Sequence, residues 1–278
     1  MEYIEFNIKL NPRLPFSEIL SARLNEIDFE AYVEEGDILK AYIQSDLLNL
    51  DAAKQIIHDI SDLCAVSYTF NKIKKKNWNQ EWENSFKPVF INNNCLIRAD
   101  FHKENLEVEY EIIITPKMSF GTGHHETTSM IMNRMFDINF NNKLVLDIGT
   151  GTGVLAILAS KLEAKKTVAC DIDEWAYKNA IENSILNLVS DIDFFHGDHT
   201  EIEEKFKFDI VLVNINTNTI LTNIDSYVML MSTKSQILLS GFLDPDVKTI
   251  KDKILDLGFK LIYKNNKNKW QMLHFIRE

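Results

Sequence analysis

The first 72 residues show apolar positions that alternate as in strands and then recur at helical spacing. The pattern predicts four strands and two helices; the strands fall at 3–10, 29–34, 38–44 and 66–72, and the helices at 17–27 and from Asp46 or Asn49 to about 63. Gly36 lies at a predicted hairpin turn between the second and third strands. The resulting order, βαββαβ, is typical of a small ferredoxin-like α+β domain.

Past residue 89 the pattern changes to apolar strands that alternate with helices. Strands are predicted at 95–100, 106–115, 144–148, 167–171, 192–196, 209–213, 236–240, 260–264 and 270–276, and helices at 154–162, 174–188 and 245–257, with two more ending near 135 and 231. Strands alternating with helices predict a mostly parallel, doubly wound α/β sheet covered on both faces. The last two strands have no helix between them and predict an antiparallel hairpin.

We therefore predict an N-terminal domain over 1–72, a linker helix over 73–88 and a larger domain over 89–278. In the linker, three aromatic residues are spaced four apart, which places their rings on one helical face; they are Trp78, Trp82 and Phe86. We interpret this face as a packing surface. The alternative is an RNA-stacking surface, because a basic run precedes it; its members are Lys72, Lys74, Lys75 and Lys76.

The chain has 278 residues, a formal net charge of -11 and three cysteines. Acidic bulk charge repels a nucleic-acid backbone and favours a basic partner, so we expect no direct nucleic-acid binding. An odd cysteine count without a C-x-x-C pair argues against a disulfide framework and a structural zinc. Charges in the first twenty residues and polar residues in the most apolar stretches argue against a signal peptide and a membrane span. We expect a cytoplasmic protein.

The strongest chemical signal is a buried strand followed by a glycine turn and a helix start, which reads LVLDIGTGTGVL over 144–155. Glycine is needed where the backbone turns sharply and approaches a ligand closely. The glycines stand at alternate positions, Gly149, Gly151 and Gly153, so the G-x-G-x-x-G fingerprint of dinucleotide-binding domains is not matched. This register argues against a nicotinamide-dependent dehydrogenase.

Carboxylates gather around the glycine turn; they belong to Asp147, Asp171, Asp173 and Asp198. A diphosphate prefers helix N–H groups, whereas a sulfonium and an ammonium prefer carboxylates. S-adenosylmethionine has both cations and no phosphate. We therefore predict S-adenosylmethionine as the ligand, with Asp147, Gly149 and Gly151 among its contacts.

Polar residues at the strand ends have expected roles. Asp171 ends the second strand, where an acidic side chain accepts hydrogen bonds from ribose hydroxyls, and Asp173 fits a helix N-cap. Asp198 ends the third strand and is expected near the adenine. Asn214 ends the fourth strand, where its carbonyl could accept a hydrogen bond from an attacking amine; alternatively, it only turns the chain.

Two histidine groups invite a metal interpretation. His124 and His125 are adjacent at a helix start, so their side chains point in different directions, and no third ligand follows at helical spacing. His196 and His199 flank a Gly-Asp pair in a loop. We expect no metal at either place.

With these residues identified, the chain resembles the ribosomal protein L-eleven methyltransferases, the PrmA family. The resemblance is carried by 118–128 (MSFGTGHHETT), by 145–153 (VLDIGTGTG), by Asp171-Ile-Asp173 followed by Ala176, Ala180, Glu182 and Asn183, and by the strand end Asn214-Ile215. The stretch with Trp78, Trp82 and Pro88 is similar to the family's interdomain segment. The chain departs at Asn216 and Thr217, where the family usually has Leu-Ala.

The resemblance implies a seven-stranded class I methyltransferase sheet, preceded by a small domain that recognises the substrate. It implies N-methylation of lysine or other amino groups on ribosomal protein L-eleven, a basic protein of the large subunit. It also implies donor contacts at Thr128, Gly149, Asp171 and Asn214, and a lid over 120–128 that includes Phe120 and Thr127. We expect a monomer.

Methyl transfer is an in-line displacement, so the enzyme mainly has to align the amine with the methyl group. A lysine with a pKa of about 10.4 must first lose a proton, and desolvation in a closed pocket lowers that pKa. No general base stands out, so Asn214 is assigned to orienting the neutral amine. Two alternatives stay open: a methyltransferase acting on RNA or another translation component, and a binding module that holds the donor without transferring methyl.

Overall fold

The computed structural model of the chain describes residues 2–73, 86–102, 108–117, 119–202 and 207–278. The chain forms two compact units, Met1–Asn84 and Ser85–Glu278. Most of the predicted linker, including Trp78, Trp82 and the lysines at 74–76, lies outside the described residues. The linker helix and its aromatic face therefore stay predictions.

The first unit contains four strands and two helices in the predicted order. They are β1 (Tyr3–Asn11), α1 (Phe16–Asn25), β2 (Ala31–Glu35), β3 (Ile38–Gln44), α2 (Leu50–Ser61) and β4 (Ala65–Ile73). The sheet order is β2-β3-β1-β4, and all neighbouring strands are antiparallel. This arrangement confirms the ferredoxin-like prediction. Asn49 is the N-cap of α2, because its Oδ1 accepts a hydrogen bond from Ala52 N at 3.1 Å.

One face of this sheet forms the core of the first unit. Phe6, Ile8 and Leu10 alternate along β1 and are buried with Leu20 and Leu24 of α1. Full burial of an apolar side chain of this size contributes roughly 1.5–3 kcal/mol, which helps to offset the conformational entropy lost on folding. The alternation of β1 thus decides which face of the sheet receives the helices.

The second unit contains ten strands and five helices among its described residues. They are β5 (Val89–Ile91), β6 (Cys95–Ala99), β7 (Tyr110–Ile114), α3 (Glu126–Met135), β8 (Leu144–Ile148), α4 (Val154–Lys161), β9 (Lys166–Asp171), α5 (Glu174–Leu186), β10 (Ile192–His196), β11 (Phe208–Asn214), α6 (Thr217–Met229), β12 (Met231–Leu243), α7 (Val247–Asp256), β13 (Phe259–Lys267) and β14 (Trp270–Arg277). Short 3-10 turns lie at His199–Glu201 and Asp244–Asp246. The first three strands form a small sheet of their own, in the order β5-β6-β7.

The seven-stranded sheet has the order β10-β9-β8-β11-β12-β14-β13. The first five strands are parallel to one another, and β14 and β13 join antiparallel. After β8 the chain builds β9 and β10 on one side and then returns to place β11 and β12 on the other. This reversal of direction creates a topological switch point between β8 and β11. The predicted doubly wound sheet with an antiparallel terminal hairpin is confirmed.

Apolar side chains cover both faces of the seven-stranded sheet. In β11, Ile210 and Leu212 pack into a cluster with residues of α3 and α4. Val211 and Val213, on the opposite face, pack with residues of α6 and α7. Because successive side chains of a strand point to opposite faces, this nearly continuous apolar run is what a strand covered on both sides requires.

Two strands are longer than their apolar pattern predicts. β12 begins at Met231 instead of 236, because Met231 pairs with Phe208 even though polar residues follow it. β13 continues to Lys267 instead of 264. It is the edge strand of the sheet, so its side chains are mostly exposed and need no apolar alternation. Within the described ranges, no helix has both the length and the apolar character needed to cross a membrane.

Candidate functional site

The candidate site lies at the carboxyl ends of β8 and β11, where the order of the sheet reverses. Asp147 of β8 pairs with Leu212 of β11, so Asn214 lies two residues beyond this level on the neighbouring strand. Neighbouring strands are about 4.8 Å apart. Loops that leave these two strands in opposite directions open a crevice, which is the usual ligand position in an open α/β sheet.

The glycine turn after β8 is held in a conformation that excludes side chains. Gly149 and Gly151 have φ values of 71° and 57°, in the left-handed region that favours glycine. A Cβ atom on Gly151 would lie 2.2 Å from the carbonyl oxygen of Phe120, and one on Gly149 would lie 2.4 Å from Cγ2 of Ile215. The turn is therefore enclosed between the segment before α3 and the residue after Asn214.

Asp147 is a wholly buried carboxylate at the base of the turn. Its Oδ2 accepts a hydrogen bond from the Thr150 hydroxyl at 2.6 Å, while its Oδ1 makes no hydrogen bond within the described residues. Burial raises the pKa of Asp147 to about 7 and the nearby Asp171 adds to the shift, whereas the Thr150 hydroxyl and the Ala156 backbone N–H oppose it. An oxygen without a donor in a desolvated position favours a cationic or hydrogen-bonding ligand group.

Asp171, at the end of β9, connects the glycine turn to the next helix. Its Oδ2 accepts a hydrogen bond from Gly151 N at 2.9 Å, and its Oδ1 accepts one from Asp173 N at 3.0 Å. Asp173 caps α5 through the backbone N–H groups of Trp175 and Ala176, which confirms its predicted N-cap role. The structure thus separates the two carboxylates: Asp171 faces the turn, and Asp173 belongs to the helix.

Asp198 follows β10, one strand further along the sheet. His196 of β10 pairs with Asp171, and Gly197 N donates a hydrogen bond to the Asp171 carbonyl oxygen at 2.9 Å. The exposed carboxylate of Asp198 accepts hydrogen bonds from the Thr200 hydroxyl and backbone N–H, which hold its pKa below the usual range. Asp147, Asp171 and Asp198 therefore lie at or just beyond the carboxyl ends of three adjacent strands, at the same edge of the sheet.

The segment before α3 is bonded directly to the glycine turn. Thr152 N donates to the Phe120 carbonyl oxygen at 2.8 Å, and the Thr152 hydroxyl donates to the Gly121 carbonyl oxygen at 2.6 Å. The Phe120 side chain is 51% exposed, and its ring contacts His125 edge to face at 5.0 Å between centroids. Met118, the first residue of the motif, lies outside the described residues.

His125 and the two threonines that follow it begin α3. His125 is the N-cap, since its Nδ1 accepts hydrogen bonds from the Thr127 backbone and hydroxyl. Thr127 and Thr128 are wholly buried. Thr128 Oγ1 accepts a hydrogen bond from Asn214 Nδ2 at 3.2 Å, which joins the start of α3 to the tip of β11. Asn214 Oδ1 is buried and makes no hydrogen bond within the part of the chain that the structure describes.

Asn216 and Thr217, which depart from the family pattern, have structural roles at the start of α6. Asn216 caps this helix through a hydrogen bond from Thr219 N at 3.0 Å, and the Thr217 hydroxyl donates to Asp246 Oδ2 at 2.8 Å. Beside them is a cavity of about 390 Å³; it is lined by Asn216, Thr217, Asn218, Gly241, Phe242, Leu243, Asp246 and Trp270. The cavity lies at the carboxyl ends of β11 and β12, on the far side of Asn214 from β8.

Three residues at this edge have no role in the sequence-based prediction. Ile215 packs against Gly149 and contacts Gly241, where a Cβ atom would lie 2.2 Å from the Ile215 carbonyl oxygen. Trp270 contacts His125 edge to face at 4.7 Å. Ile172 is 76% exposed between Asp171 and Asp173 and offers an apolar surface at a strand tip. Only Ile172 gives a signal in the sequence, as an apolar residue between two carboxylates.

The geometry can be compared with known proteins. The sequence model of the family described as ribosomal protein L11 methyltransferase (PrmA) matches residues 18–278. The chain belongs to the PrmA family. Its fold is that of the class I methyltransferases, and by family it is a methyltransferase.

Relatives of the PrmA family match nearly the full length of the chain. A ribosomal protein L11 methyltransferase of Bacteroides fragilis is 40% identical over 280 residues, which cover 99% of this chain and 100% of the relative. One of Porphyromonas gingivalis is 38% identical over 263 residues, covering 93% and 90%. The crystal structure of a ribosomal protein L11 methylase from Lactobacillus delbrueckii subsp. bulgaricus superposes with a TM-score of 0.64 at 25% identity, covering 69% of this chain and all of that one.

Proposed function

We propose that this PrmA-family chain transfers methyl groups from S-adenosylmethionine to lysine or other amino groups of ribosomal protein L11. One observation carries the proposal: two buried oxygens without hydrogen-bond donors, Asp147 Oδ1 and Asn214 Oδ1, lie on adjacent strands at the switch point. The glycine turn lies next to both. A cationic donor on one side and an amine acceptor on the other would provide the missing partners.

The residues around the glycine turn fit S-adenosylmethionine. The close approach of Gly149 and Gly151 to their neighbours leaves backbone, not side chains, facing the ligand. Asp147 supplies a buried acceptor for a cation, and Asp171 supplies carboxylate lone pairs beside the turn for ribose hydroxyls. Asp198 and Ile172 would contact the adenine from the next two strand tips. Phe120, Thr127 and Thr128 would cover the donor from the side of α3.

The cavity beyond Asn214 suits the acceptor side chain. Its volume of about 390 Å³ is at the small end for ligand pockets, so it accommodates a side chain more readily than a second cofactor. Leu243 and Trp270 offer apolar surface for an aliphatic stem, and Asp246 offers a carboxylate for the arriving ammonium. A lysine side chain has both of these parts.

In the proposed reaction the donor supplies a methyl group activated by an adjacent sulfonium. The acceptor ammonium would release its proton to bulk water on entering the desolvated site, which favours the neutral form. The N–C bond would then form as the C–S bond breaks, with S-adenosylhomocysteine as the leaving group. Asn214 Nδ2 donates to Thr128 Oγ1, which fixes the amide plane and leaves the buried Oδ1 without a hydrogen-bond donor among the described residues. This oxygen would accept a hydrogen bond from the neutral amine and aim its lone pair at the methyl carbon. Alignment of this kind is the main source of rate enhancement in a displacement between two bound partners.

The first unit is proposed to bind the protein substrate. Residues 1–73 contain thirteen Asp and Glu against six Lys and Arg, a net charge of -7 within a total of -11. A basic ribosomal protein would be attracted to this unit, and attraction between opposite charges raises the rate of encounter. Binding in the first unit would bring several amines within reach of one site in the second. Such tethering raises the effective concentration of each amine.

The deciding experiment is incubation of the full chain with labelled S-adenosylmethionine and purified ribosomal protein L11, followed by mass spectrometry. We expect whole-methyl mass increments on lysine or amino-terminal residues, absent when S-adenosylmethionine is omitted. Donor binding without any labelled product from L11, ribosomes or cell extract would contradict transfer and favour a binding module. Label that disappears after ribonuclease treatment would favour RNA as the substrate.

A further inference from the structure

Three asparagines, two in α5 and one at its C-cap, form hydrogen bonds with the backbone that leads into the segment before α3. Asn179, Asn183 and Asn187, named here the asparagine ladder, are spaced four residues apart and are 1%, 0% and 8% exposed. Ile113 N donates to Asn187 Oδ1 at 2.9 Å, and Asn187 Nδ2 donates to the Ile113 carbonyl oxygen at 2.6 Å. Thr115 N donates to Asn183 Oδ1 at 2.8 Å, and Asn179 Nδ2 donates to the Thr115 carbonyl oxygen at 3.2 Å.

The spacing of the ladder matches the spacing of a strand. Four residues of an α-helix rise about 6.0 Å, and two residues of a strand rise about 6.6 Å. Asparagines at every fourth helical position therefore meet backbone groups at every second strand position. An asparagine amide carries both a donor and an acceptor, as a peptide group does. The ladder therefore forms hydrogen bonds with the backbone of Ile113 and Thr115, as a neighbouring strand would.

Asn183 makes one further bond that links the ladder to the glycine turn. Its Nδ2 donates to the Thr152 carbonyl oxygen at 2.8 Å. Thr152 is the residue whose N–H and hydroxyl hold the carbonyl oxygens of Phe120 and Gly121. The side-chain NH2 group of Asn183 therefore donates to the glycine turn. Its carbonyl oxygen accepts from Thr115, in the backbone that leads into 119–125. Within the described residues, the side-chain hydrogen bonds of Asn179 and Asn187 reach the strand and α5 but not the turn.

We propose that Asn183 is a positioning residue that fixes the distance between the glycine turn and the segment 119–125. This inference rests on the proposed function, because these two elements would form adjoining walls of the donor pocket. Asn183 is wholly buried and acts through Thr152 and Thr115. Displacements of about 1 Å cost about a hundredfold in rate at a reacting centre, so the spacing of the two walls matters for donor binding and alignment.

The test compares Asn183→Ala with Asn187→Ala in the full chain. Both changes remove a buried asparagine from the same helix face, and both should lower the melting temperature. Calorimetry with S-adenosylhomocysteine should give a Kd about tenfold higher for Asn183→Ala, as expected for the loss of one hydrogen bond that orders the pocket. The KM for the donor should rise by a similar factor, with a smaller change in kcat at saturating donor. For Asn187→Ala the Kd should change less than about twofold.

Equal Kd values for the two variants would overturn the inference, since a purely structural role predicts no difference between them. If Asn183→Ala does not fold, Asn183→Asp provides a second test. A protonated carboxyl group can donate to the Thr152 carbonyl oxygen, as the amide does. The ionised carboxylate has no proton to donate and would repel that oxygen. The ratio of its Kd to that of the wild type should therefore rise with pH, and a constant ratio would overturn the inference. If the wild-type protein bound no S-adenosylhomocysteine, this result would contradict the proposed function as well.

Discussion

Two buried oxygens at the switch point differ in what surrounds them. Asp147 Oδ1 is part of a carboxylate whose pKa burial raises to about 7, so its charge depends on what occupies the pocket. Asn214 Oδ1 belongs to a neutral amide held by Thr128 and is an acceptor at every pH. A carboxylate acceptor suits the ammonium of the donor, and an uncharged amide acceptor suits an amine that must lose its proton.

The role of Asn214 can be tested by Asn214→Ala. The change removes the acceptor for the amine and leaves the glycine turn in place, so kcat should fall about a hundredfold while the Kd for the donor rises far less. Single-turnover rates and calorimetry with S-adenosylhomocysteine measure the two effects separately. Asn133→Ala is a suitable control, because Asn133 bonds only the Ser129 carbonyl oxygen within α3 in the described structure. Unchanged turnover in Asn214→Ala would remove the proposed role.

The raised pKa of Asp147 predicts a pH dependence of donor binding. The folded-state pKa of about 7 exceeds the ordinary value of 3.8, so the carboxyl takes up a proton as the pH falls below 7. A cation binds the ionised form, and the affinity for S-adenosylhomocysteine, whose ammonium keeps its charge in this range, should fall about tenfold per pH unit between about pH 7 and pH 5.5. Asp147→Asn should bind weakly with a flat profile. A wild-type affinity independent of pH would contradict the contact.

At the scale of elements, how much the sequence predicts depends on whether the deciding contact is local. The turn at Gly149 and Gly151 could be predicted, because a left-handed backbone conformation favours glycine at these positions of the sequence. The N-cap Asp173, and Asn49 as one of two candidate caps, could also be predicted, because a cap bonds backbone groups two or three residues away. The bond between Thr152 and Phe120 and the pairing of Asn183 with Thr115 could not, since residues thirty or more positions apart meet only in the folded chain. The roles of individual site residues stay predictions.

A buried histidine joins three elements of the second unit. His274 of β14 accepts a hydrogen bond from Arg134 Nε of α3 at 3.0 Å on Nδ1, and its Nε2 donates to Gln236 Oε1 of β12 at 2.9 Å. This arrangement requires the neutral imidazole, since a proton on Nδ1 would meet the Arg134 N–H. Burial and the charge of Arg134 together lower the pKa of His274 to about 3.

His274→Gln should therefore reduce the acid sensitivity of the fold. The folded-state pKa of about 3 lies below the ordinary 6.5, so the stability from this group is present above pH 6.5 and is lost as the pH falls towards 3. Between pH 7 and about pH 5, titration of His274 should lower the free energy of unfolding of the wild type by about 2 kcal/mol. Urea unfolding of the wild type and the variant at both pH values would measure this difference. The opposite trend of Asp147 cancels in this difference, because both proteins contain it.

His274→Leu is the control for this prediction. It also cannot titrate, but it leaves Arg134 Nε and Gln236 Oε1 without their partner. It should be less stable than His274→Gln at both pH values and show the same reduced difference between them. If both variants lose as much stability between pH 7 and pH 5 as the wild type, the neutral histidine is not the source of the acid sensitivity.

At the scale of the whole molecule, the two units divide the proposed work. The second unit contains the seven-stranded sheet, the glycine turn, Asn214 and the adjoining cavity. The first unit has its own core around Phe6 and Ile8 and most of the net negative charge of the chain. The proposed division predicts that chemistry and recognition of a basic protein can be altered separately. The order of apolar and polar positions along the sequence is sufficient to predict both folds.

Deletion of residues 1–72 tests this division. The truncated chain retains every residue of the donor and acceptor sites, so its Kd for S-adenosylhomocysteine should stay within about threefold of the full chain. Methylation of ribosomal protein L11 should be lost, because the acceptor amines would no longer be held at high effective concentration. A short lysine-containing peptide of L11, supplied at high concentration, should be methylated equally by both proteins, since it depends on the second unit alone. Full activity of the truncated chain on L11 would show that recognition also lies in the second unit, and loss of peptide methylation would show that the first unit contributes to the chemistry itself.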